Sequence, residues 1–205
     1  MADALTADLP KTAATRPGSI VLARHGEPDI ARNVMLNARG YEDYWGRYEQ
    51  LGIRPGQTPP RELLELAAKA DVIISSVRRR SVESTQALVG GREFARDPMF
   101  VEAPLPAPGF PGFLKMSPKV WGFTARFWWW FFNHHAGQET RAQAEARADQ
   151  AADLIVDLAE QGQDVVVLAH GFFNFMVGRS LRKRGWRLTA NQGWKYWSTR
   201  RFERS

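Results

Sequence analysis

The sequence predicts an α/β fold in which a mostly parallel sheet lies between two layers of helices. Three short and almost continuously apolar segments predict buried strands, at residues 19–23 (SIVLA), 71–75 (DVIIS) and 164–169 (DVVVLA). Segments with helical spacing of apolar residues lie between them. Strands that are apolar at nearly every position are typical of parallel sheets covered by helices on both faces. We therefore predict a three-layer sandwich with the sheet in the middle.

The elements of the first half follow from local signals. After the first strand, two prolines, an arginine and a glutamate predict the start of a helix over residues 59–67, because proline and acidic residues favour the first helical turn. The strand at residues 71–75 is followed by a predicted helix over residues 81–89. We expect this helix to end at Gly90-Gly91, since glycine is favoured just beyond a helix C-terminus.

The second half begins with residues 97–118, whose proline and glycine content excludes long regular elements. Thr140 and Gln143 form the pattern of a capping box, which marks a helix start. Small apolar residues then recur at helical spacing as far as Ala159, so the longest helix is predicted here. Three further elements complete the prediction: a strand at residues 164–169, a helix at residues 172–181 and a final strand at residues 194–202.

Length and composition predict one domain. The 205 residues are 44% apolar, which suffices for a buried core. We predict a flexible tail over residues 1–18 and a single domain over residues 19–205, with an aromatic-rich insertion around residues 103–136. The most apolar stretch, at residues 123–132, is too short to span a bilayer. No signal-peptide pattern is present, so we expect a cytoplasmic protein.

Charge and cysteine content limit the kinds of partner and of reactive group that the chain can have. The net charge of +6 suits anionic partners such as phosphorylated metabolites, nucleic acid or an acidic membrane face. The chain has no cysteine, which excludes disulfides, thiolate metal sites and a thiol nucleophile. Arginines and tryptophans interleave near the C-terminus, at residues 179–204, and we interpret them as a basic surface with buried tryptophans and not as a nucleic-acid interface.

Polar groups suited to phosphate follow the three apolar strands. Arg24-His25-Gly26-Glu27 follows the first, residues 75–80 (SSVRRR) follow the second, and His170-Gly171 follows the third. The carboxyl ends of parallel strands meet at one edge of a sheet, where ligands bind, so these groups should converge. Glycine after each histidine lets the backbone turn sharply and lets a ligand approach closely.

Two histidines and several arginines at one edge suit phosphoryl transfer. A neutral imidazole is a good nucleophile at neutral pH. The migrating phosphoryl group spreads negative charge over its oxygens, and arginine forks bind such oxygens bidentately while staying charged. Fixed donors aimed at that charge lower the reaction barrier.

The three motifs resemble those of the histidine phosphatase superfamily, also called phosphoglycerate mutase-like. Residues 24–27 (RHGE) resemble its first motif, residues 75–85 (SSVRRRSVEST) its second and residues 165–171 (VVVLAHG) its third. Residues 137–140 and the long helix after them resemble the element before the last of these strands. Order and spacing agree over residues 19–174. The resemblance implies the phosphoglycerate mutase-like α/β fold and a metal-free phosphatase, without a cofactor, that acts through a phosphohistidine.

The resemblance also implies roles for individual residues. His25 is the expected nucleophile, and Arg24 is expected to bind the phosphoryl oxygens. The family's second arginine lies four residues after the second serine of its motif, which selects Arg80; Arg78 stays open as the alternative, and Arg79 is interpreted as a solvated side chain. His170 is expected to complete the phosphate pocket and to take part in catalysis.

The proton donor is expected on the segment after the helix that follows the second motif. Family members usually carry a glutamate or aspartate there, which selects Glu102, with Asp97 and Glu27 as open alternatives. The sequence departs from the family pattern at Pro28, where many members have threonine. The asparagine that commonly follows the first motif is missing from its usual position, and Asn33 is the nearest substitute.

Residues 40–51 (GYEDYWGRYEQL) match poorly the sugar-phosphate recognition segment of mutase-type members. This mismatch favours a phosphatase. Phosphoglycerate mutase-type transfer and a non-catalytic protein that binds a phosphorylated ligand remain as alternatives. The expected substrate is a phosphorylated small molecule; nucleic acid is not expected, and a homodimer is left open.

Residues 120–135 (VWGFTARFWWWFFNHH) are unusually aromatic. Three interpretations stay open: a cap that packs on the core, a hydrophobic wall that selects an apolar or aromatic leaving group, and a dimer or membrane-surface patch. His134-His135 has no neighbours at ligand spacing, so no metal site is predicted there.

Overall fold

The computed structural model describes residues 16–204, so most of the tail predicted at residues 1–18 lies outside the described residues. Six strands form one sheet in the order β3-β2-β4-β1-β6-β5. The strands are β1 (Ile20–Arg24), β2 (Val72–Ser76), β3 (Ala95–Asp97), β4 (Val165–Ala169), β5 (Trp186–Asn191) and β6 (Thr199–Arg204). The helices are α1 (Ala38–Gln50), α2 (Arg61–Lys69), α3 (Arg79–Val89), α4 (Pro118–Phe132), α5 (Arg141–Glu160) and α6 (Gly171–Lys183).

The sheet is mostly parallel, as predicted. Strands β3, β2, β4 and β1 pair in parallel, and β6 and β5 add two antiparallel strands at the other edge. The three apolar segments of the sequence become β1, β2 and β4, of which β1 and β4 are central. Every residue of β4 is buried, because helices cover both faces of the sheet at this position.

Alternate side chains of each strand enter different cores. Ile20 and Leu22 of β1 pack with α5 and α6 on one face, whereas Val21 and Ala23 pack with α2 and α3 on the other. This alternation is the period of a strand and fixes the register of the sheet against both helix layers. The predicted three-layer sandwich is therefore confirmed.

A third apolar cluster lies between α1 and α4. Its buried members include Tyr41 and Tyr44 of α1 and Trp121 and Ala125 of α4. The cluster joins these two helices to each other and leaves them beside the carboxyl ends of the parallel strands. This position makes α1 and α4 the walls of the candidate site described below.

Two local predictions at helix ends are confirmed. The Thr140 side chain accepts a hydrogen bond from the Gln143 backbone N–H at 3.2 Å, and the Gln143 side chain accepts one from the Thr140 N–H at 2.8 Å. Gly90 follows α3 with φ of 57°, a left-handed conformation that favours glycine. The first end is fixed by side-chain hydrogen bonds and the second by the conformational freedom of glycine, and both can be recognised in the local sequence.

The prediction of a strand over residues 194–202 is wrong at its start. The chain turns before β6, and Trp197 has φ of 63°, which no β-strand residue adopts. The sequence analysis also missed β5, a mostly exposed edge strand, and helix α1. Within residues 16–204, no helix combines the length and the apolar character that crossing a bilayer demands.

Candidate active site

The two histidines meet at the carboxyl edge of the sheet. Strands β1 and β4 are neighbours, and the His25 backbone N–H donates to the Ala169 carbonyl at 3.0 Å. The imidazole centroids of His25 and His170 lie 5.1 Å apart, and both side chains are buried. The convergence predicted from the strand order is thus present in the structure.

His25 is held as a neutral imidazole with one nitrogen free. Its Nδ1 lies 2.7 Å from the Gly26 carbonyl oxygen, which can only accept, so Nδ1 carries the proton and donates. Burial, together with the charges of Arg80 and Arg24, lowers the pKa of His25 well below its usual 6.5. The Nε2 lone pair is therefore available as a nucleophile at neutral pH.

The glycine after His25 is required by a close contact. A Cβ at Gly26 would lie 2.5 Å from Cζ2 of the Trp197 indole, a distance that no real Cβ tolerates. The Gly26 N–H donates to Ser84 Oγ of α3 at 2.8 Å, which fixes the turn after β1. The glycine of the first motif thus serves packing against Trp197 as well as the turn.

His170 is also neutral and is fixed on both sides. Its Nδ1 lies 3.3 Å from Arg80 Nη2, which can only donate, so Nδ1 accepts and Nε2 carries the proton. Nε2 lies 3.0 Å from Ser76 Oγ at the end of β2. Burial and then the positive charge of Arg80 lower the pKa of His170 well below 6.5. A bound anion can accept the hydrogen bond from His170 Nε2–H in place of Ser76 Oγ.

Two arginines lie close to the histidines. The Arg80 side chain is fully buried; Nη2 forms an ion pair with Glu49 Oε1 at 2.8 Å, and the guanidinium lies 4.6 Å from the Tyr48 ring centroid. The Arg24 guanidinium lies 4.3 Å from the Tyr196 ring centroid and donates to the Trp194 carbonyl. These contacts set the direction of both side chains before any ligand binds.

Both arginines keep a buried donor without a partner. The Nε–H groups of Arg24 and Arg80 are buried and have no acceptor among residues 16–204. A buried unsatisfied donor is costly, and native proteins rarely retain one without a function. The two arginines line the cavity that contains His25 and His170, so a phosphate group bound in that cavity would bring acceptor oxygens close to them.

The structure separates the three adjacent arginines of the second motif. Only Arg80 lines the cavity. Arg79 is 69% exposed and pairs with Glu83 on the surface of α3. Arg78 pairs through Nε with Glu49 Oε2 at 2.8 Å and lines a neighbouring groove instead. The geometry supports the choice of Arg80 over Arg78.

The cavity above the histidines has a volume of about 400 Å³ and an aromatic wall. Helix α1 contributes four aromatic side chains at helical spacing. Tyr196 comes from the turn before β6, 5.7 Å from the His25 ring centroid. The aromatic lining consists of Tyr41, Tyr44, Trp45, Tyr48, Phe123, Phe172, Trp194 and Tyr196.

The α1 residues of this wall were missed in the sequence analysis. Tyr41, Tyr44, Trp45 and Tyr48 recur at positions i, i+3, i+4 and i+7, which is the signal of an amphipathic helix. The segment over residues 40–51 was considered only as a mismatch to a mutase recognition segment. Its periodicity alone predicts a helix with one aromatic face.

Glu102 lines the cavity and is held by the start of α6. Its Oε1 accepts from the Phe173 N–H at 2.9 Å, and its Oε2 accepts from the Phe172 N–H at 3.2 Å. Arg126 Nη2 lies 3.9 Å from Oε1. Burial, opposed by the charge of Glu102, lowers the pKa of Arg126 to about 10, so this guanidinium stays charged at neutral pH. These contacts hold the carboxylate in a fixed position at the cavity lining.

The open alternatives for the proton donor do not line the cavity. Asp97 accepts from the Met99 N–H at 2.8 Å and caps the short 3-10 helix Pro98–Phe100. Glu27 lies 3.5 Å from Arg54. Asn33 is exposed and also lies outside the cavity lining. Glu102 is thus the only one of the three carboxylates considered for this role that reaches the cavity.

The aromatic segment of the sequence becomes helix α4, which packs on the core and also contributes to the cavity lining. Trp121 and Trp129 are fully buried, and Trp129 Nε1 donates to the Glu139 carbonyl at 2.9 Å. Phe123 reaches the cavity. His134 Nε2 lies 2.9 Å from the Ala107 carbonyl oxygen, and residues 16–204 contain no cluster of three or more His, Asp or Glu side chains placed to hold a metal ion.

Comparison with known proteins gives structural matches only. No protein-family model and no curated protein matches the sequence. Mycobacterial hydrolase 2 matches with a TM-score of 0.55 at 24% identity, over 82% of this chain and 74% of that chain. Mycobacterial hydrolase 1 matches with a TM-score of 0.51 at 18% identity, over 82% of each chain.

A phosphoserine phosphatase from Entamoeba histolytica also matches, with a TM-score of 0.49 at 16% identity, over 81% of this chain and 80% of that chain. At these identities the matches concern the fold and not the activity. The order of the elements, the mostly parallel sheet and the paired histidines at its edge agree with the fold that the motifs predict. The chain therefore shares the α/β fold of the two mycobacterial hydrolases.

Proposed function

We propose that this chain is a phosphatase of the histidine phosphatase superfamily, which hydrolyses a phosphate monoester through a phosphohistidine on His25. One observation carries the proposal: a neutral, buried imidazole with a free Nε2 lies beside two arginines whose buried Nε–H groups lack an acceptor. A phosphoryl group supplies the acceptors that this arrangement lacks and the electrophile that Nε2 requires.

In the first step, His25 Nε2 forms a bond to phosphorus while the bond from phosphorus to the leaving oxygen breaks. Arg24 and Arg80 bind the phosphoryl oxygens, whose negative charge is spread in the transition state. His170 donates a hydrogen bond from its Nε2–H group to one of them. These donors are preorganised, because Tyr196, Glu49 and Ser76 hold them in place without a ligand.

The leaving oxygen needs a proton as it departs. Glu102 is the proposed donor, since its carboxyl group lines the cavity from a fixed position. In the second step, water attacks the phosphohistidine and gives its proton to the Glu102 carboxylate. The bond from His25 Nε2 to phosphorus breaks, inorganic phosphate forms and His25 returns to the neutral state. Metal and cofactor play no part in these steps, as the resemblance implies.

The aromatic wall supports a preference for an apolar or aromatic leaving group. The rings that line the cavity come from different parts of the chain. Trp194 and Tyr196 precede β6, whereas Tyr44 belongs to α1 and Phe123 to α4. Rings in such a wall bury an apolar group well and favour aromatic partners through edge and face contacts. We therefore propose a phosphorylated small molecule whose leaving group fills this cavity.

The remaining expectations belong to the same proposal. We propose a single domain over residues 19–205 and a cytoplasmic location. Whether the protein forms a homodimer is left open. Phosphoglycerate mutase-type transfer and binding without turnover use the same pocket and differ in their products. A mutase moves phosphate within a phosphoglycerate, and a binding protein releases none.

The proposal is tested by phosphate release from an aryl phosphate without added metal. We expect wild type to release phosphate and His25→Ala to release none above background, with an unchanged circular dichroism spectrum. His135→Ala serves as the matched control, because His135 lies outside the cavity, and it should keep full activity. Turnover by His25→Ala would overturn the mechanism, and binding of phosphate without any turnover would favour the non-catalytic alternative.

A further inference from the structure

Helix α4 presents a second aromatic face that lies outside the core, and of its phenylalanines only Phe123 also lines the cavity. Val120, Phe123, Phe127 and Phe131 follow one another at helical spacing, with exposed fractions of 46%, 76%, 39% and 65%. Phe132 adds a fifth apolar side chain at 64%. The ring centroids of Phe127 and Phe131 lie 4.8 Å apart, so the rings form a continuous surface. A row of exposed phenylalanines indicates a binding surface.

The segment that carries this face has charges of one sign only. The 36 positions between Glu102 and Glu139 contain no acidic residue, whereas Lys115 and Lys119 lie exposed at the N-terminal end of α4. Exposed apolar side chains continue in the segment just before the helix, where Phe113 is 85% exposed. Aromatic residues beside lysines, without any acid, are typical of helices that bind the interface of an anionic bilayer.

We propose that this α4 face docks on the surface of an anionic lipid bilayer. The phenylalanines enter the boundary between headgroups and acyl chains, and Lys115 and Lys119 contact the anionic headgroups. A second copy of the chain is a poorer occupant, because a symmetric contact through this face would bring the lysines of both copies together without acids to pair with them. The surface charge of an anionic bilayer is complementary to the lysines.

In the docked orientation the cavity lies close to the bilayer surface. Lys119 and Phe123 belong to the α4 face and also line the cavity above His25. The cavity mouth therefore opens at the edge of the bound surface. The docking itself does not depend on the proposed phosphatase activity and can be measured without turnover.

The test is sedimentation of the full chain with vesicles of phosphatidylcholine alone and of phosphatidylcholine mixed with phosphatidylserine. We expect binding to the mixed vesicles, weakened by salt, and much weaker binding to phosphatidylcholine alone. Removing two inserted phenylalanines in the double variant Phe131→Ser/Phe132→Ser should weaken binding at least about tenfold. Lys115→Glu should weaken it about fivefold for each unit of charge lost.

A matched control separates this surface from general stickiness. Leu154, 37% exposed on α5, is a lone apolar side chain, and Leu154→Ser should bind vesicles as wild type does. Since the substituted phenylalanines are exposed, the double variant should keep the wild-type circular dichroism spectrum. Wild-type binding by the double variant, or no binding by wild type, would overturn the proposal. A wild-type dimer that the double variant converts to a monomer would instead assign the face to a second copy.

Discussion

Replacing Arg80 by lysine tests whether the buried arginine binds the phosphoryl group. Lysine keeps the positive charge but lacks the Nε–H, the donor that is buried without an acceptor. A hydrogen bond to a charged group contributes about 1.5–3 kcal/mol, and about 1.4 kcal/mol corresponds to a factor of ten, so losing this donor should lower kcat/KM about 10- to 150-fold. The assay is steady-state hydrolysis of an aryl phosphate, with inorganic phosphate as a competitive inhibitor.

Arg79→Lys is the matched control, because Arg79 lies on the neighbouring position of α3 and is 69% exposed. It should leave kcat/KM within about twofold, since exposed ion pairs contribute little. Arg80 also pairs with Glu49, so thermal unfolding must be compared to separate a loss of fold from a loss of binding. Wild-type kcat/KM in Arg80→Lys, with a loss in Arg79→Lys, would refute the assignment.

Three further predictions concern protonation, the leaving group and the core. Burial lowers the pKa values of His25 and His170 below 6.5 in the folded protein, so the unfolded chain takes up protons first as the pH falls. The free energy of unfolding should therefore decrease below pH 6.5, which denaturant titrations at several pH values can measure. Stability that rises on acidification would contradict this prediction. Glu102→Gln should slow hydrolysis of an alkyl phosphate about 10²- to 10⁴-fold and that of a nitrophenyl phosphate far less, because the second leaving group needs no proton; equal losses would argue against a general acid. Trp129→Ala should lower the free energy of unfolding by about 3–5 kcal/mol in thermal or urea melts, since the side chain is fully buried; a loss below about 1 kcal/mol would contradict its place in the core.

The central strands of the sheet could be predicted because each of them has a clear signal in the amino-acid sequence. Residues 165–169 are apolar at every position, and a short run of this kind rich in valine is typical of a strand buried on both faces. The polar residues directly after each run then had to meet at one edge, which placed His25 and His170 together. Strands β3 and β5 carried no such signal, because edge strands are short or half exposed and their residues are mixed.

The pocket walls were harder to predict, since they depend on contacts between distant segments. Tyr196 lies over Arg24 only because the chain turns at Trp197 before β6, and a positive φ at a tryptophan has no local sequence signal. Glu49 was missed for a similar reason. Its pairing with Arg80 joins α1 to α3 across 31 residues, and surface glutamates on helices are common.

The central claim is that the phosphoryl group passes through His25, and trapping it is the most direct test. Wild type would be mixed with an aryl phosphate, denatured in alkali, in which phosphohistidine survives, and digested for mass spectrometry. The account predicts one added HPO₃ on the peptide that contains His25, and none in His25→Ala. A phosphoryl group on His170, or steady turnover by wild type without any phosphorylated peptide, would contradict it.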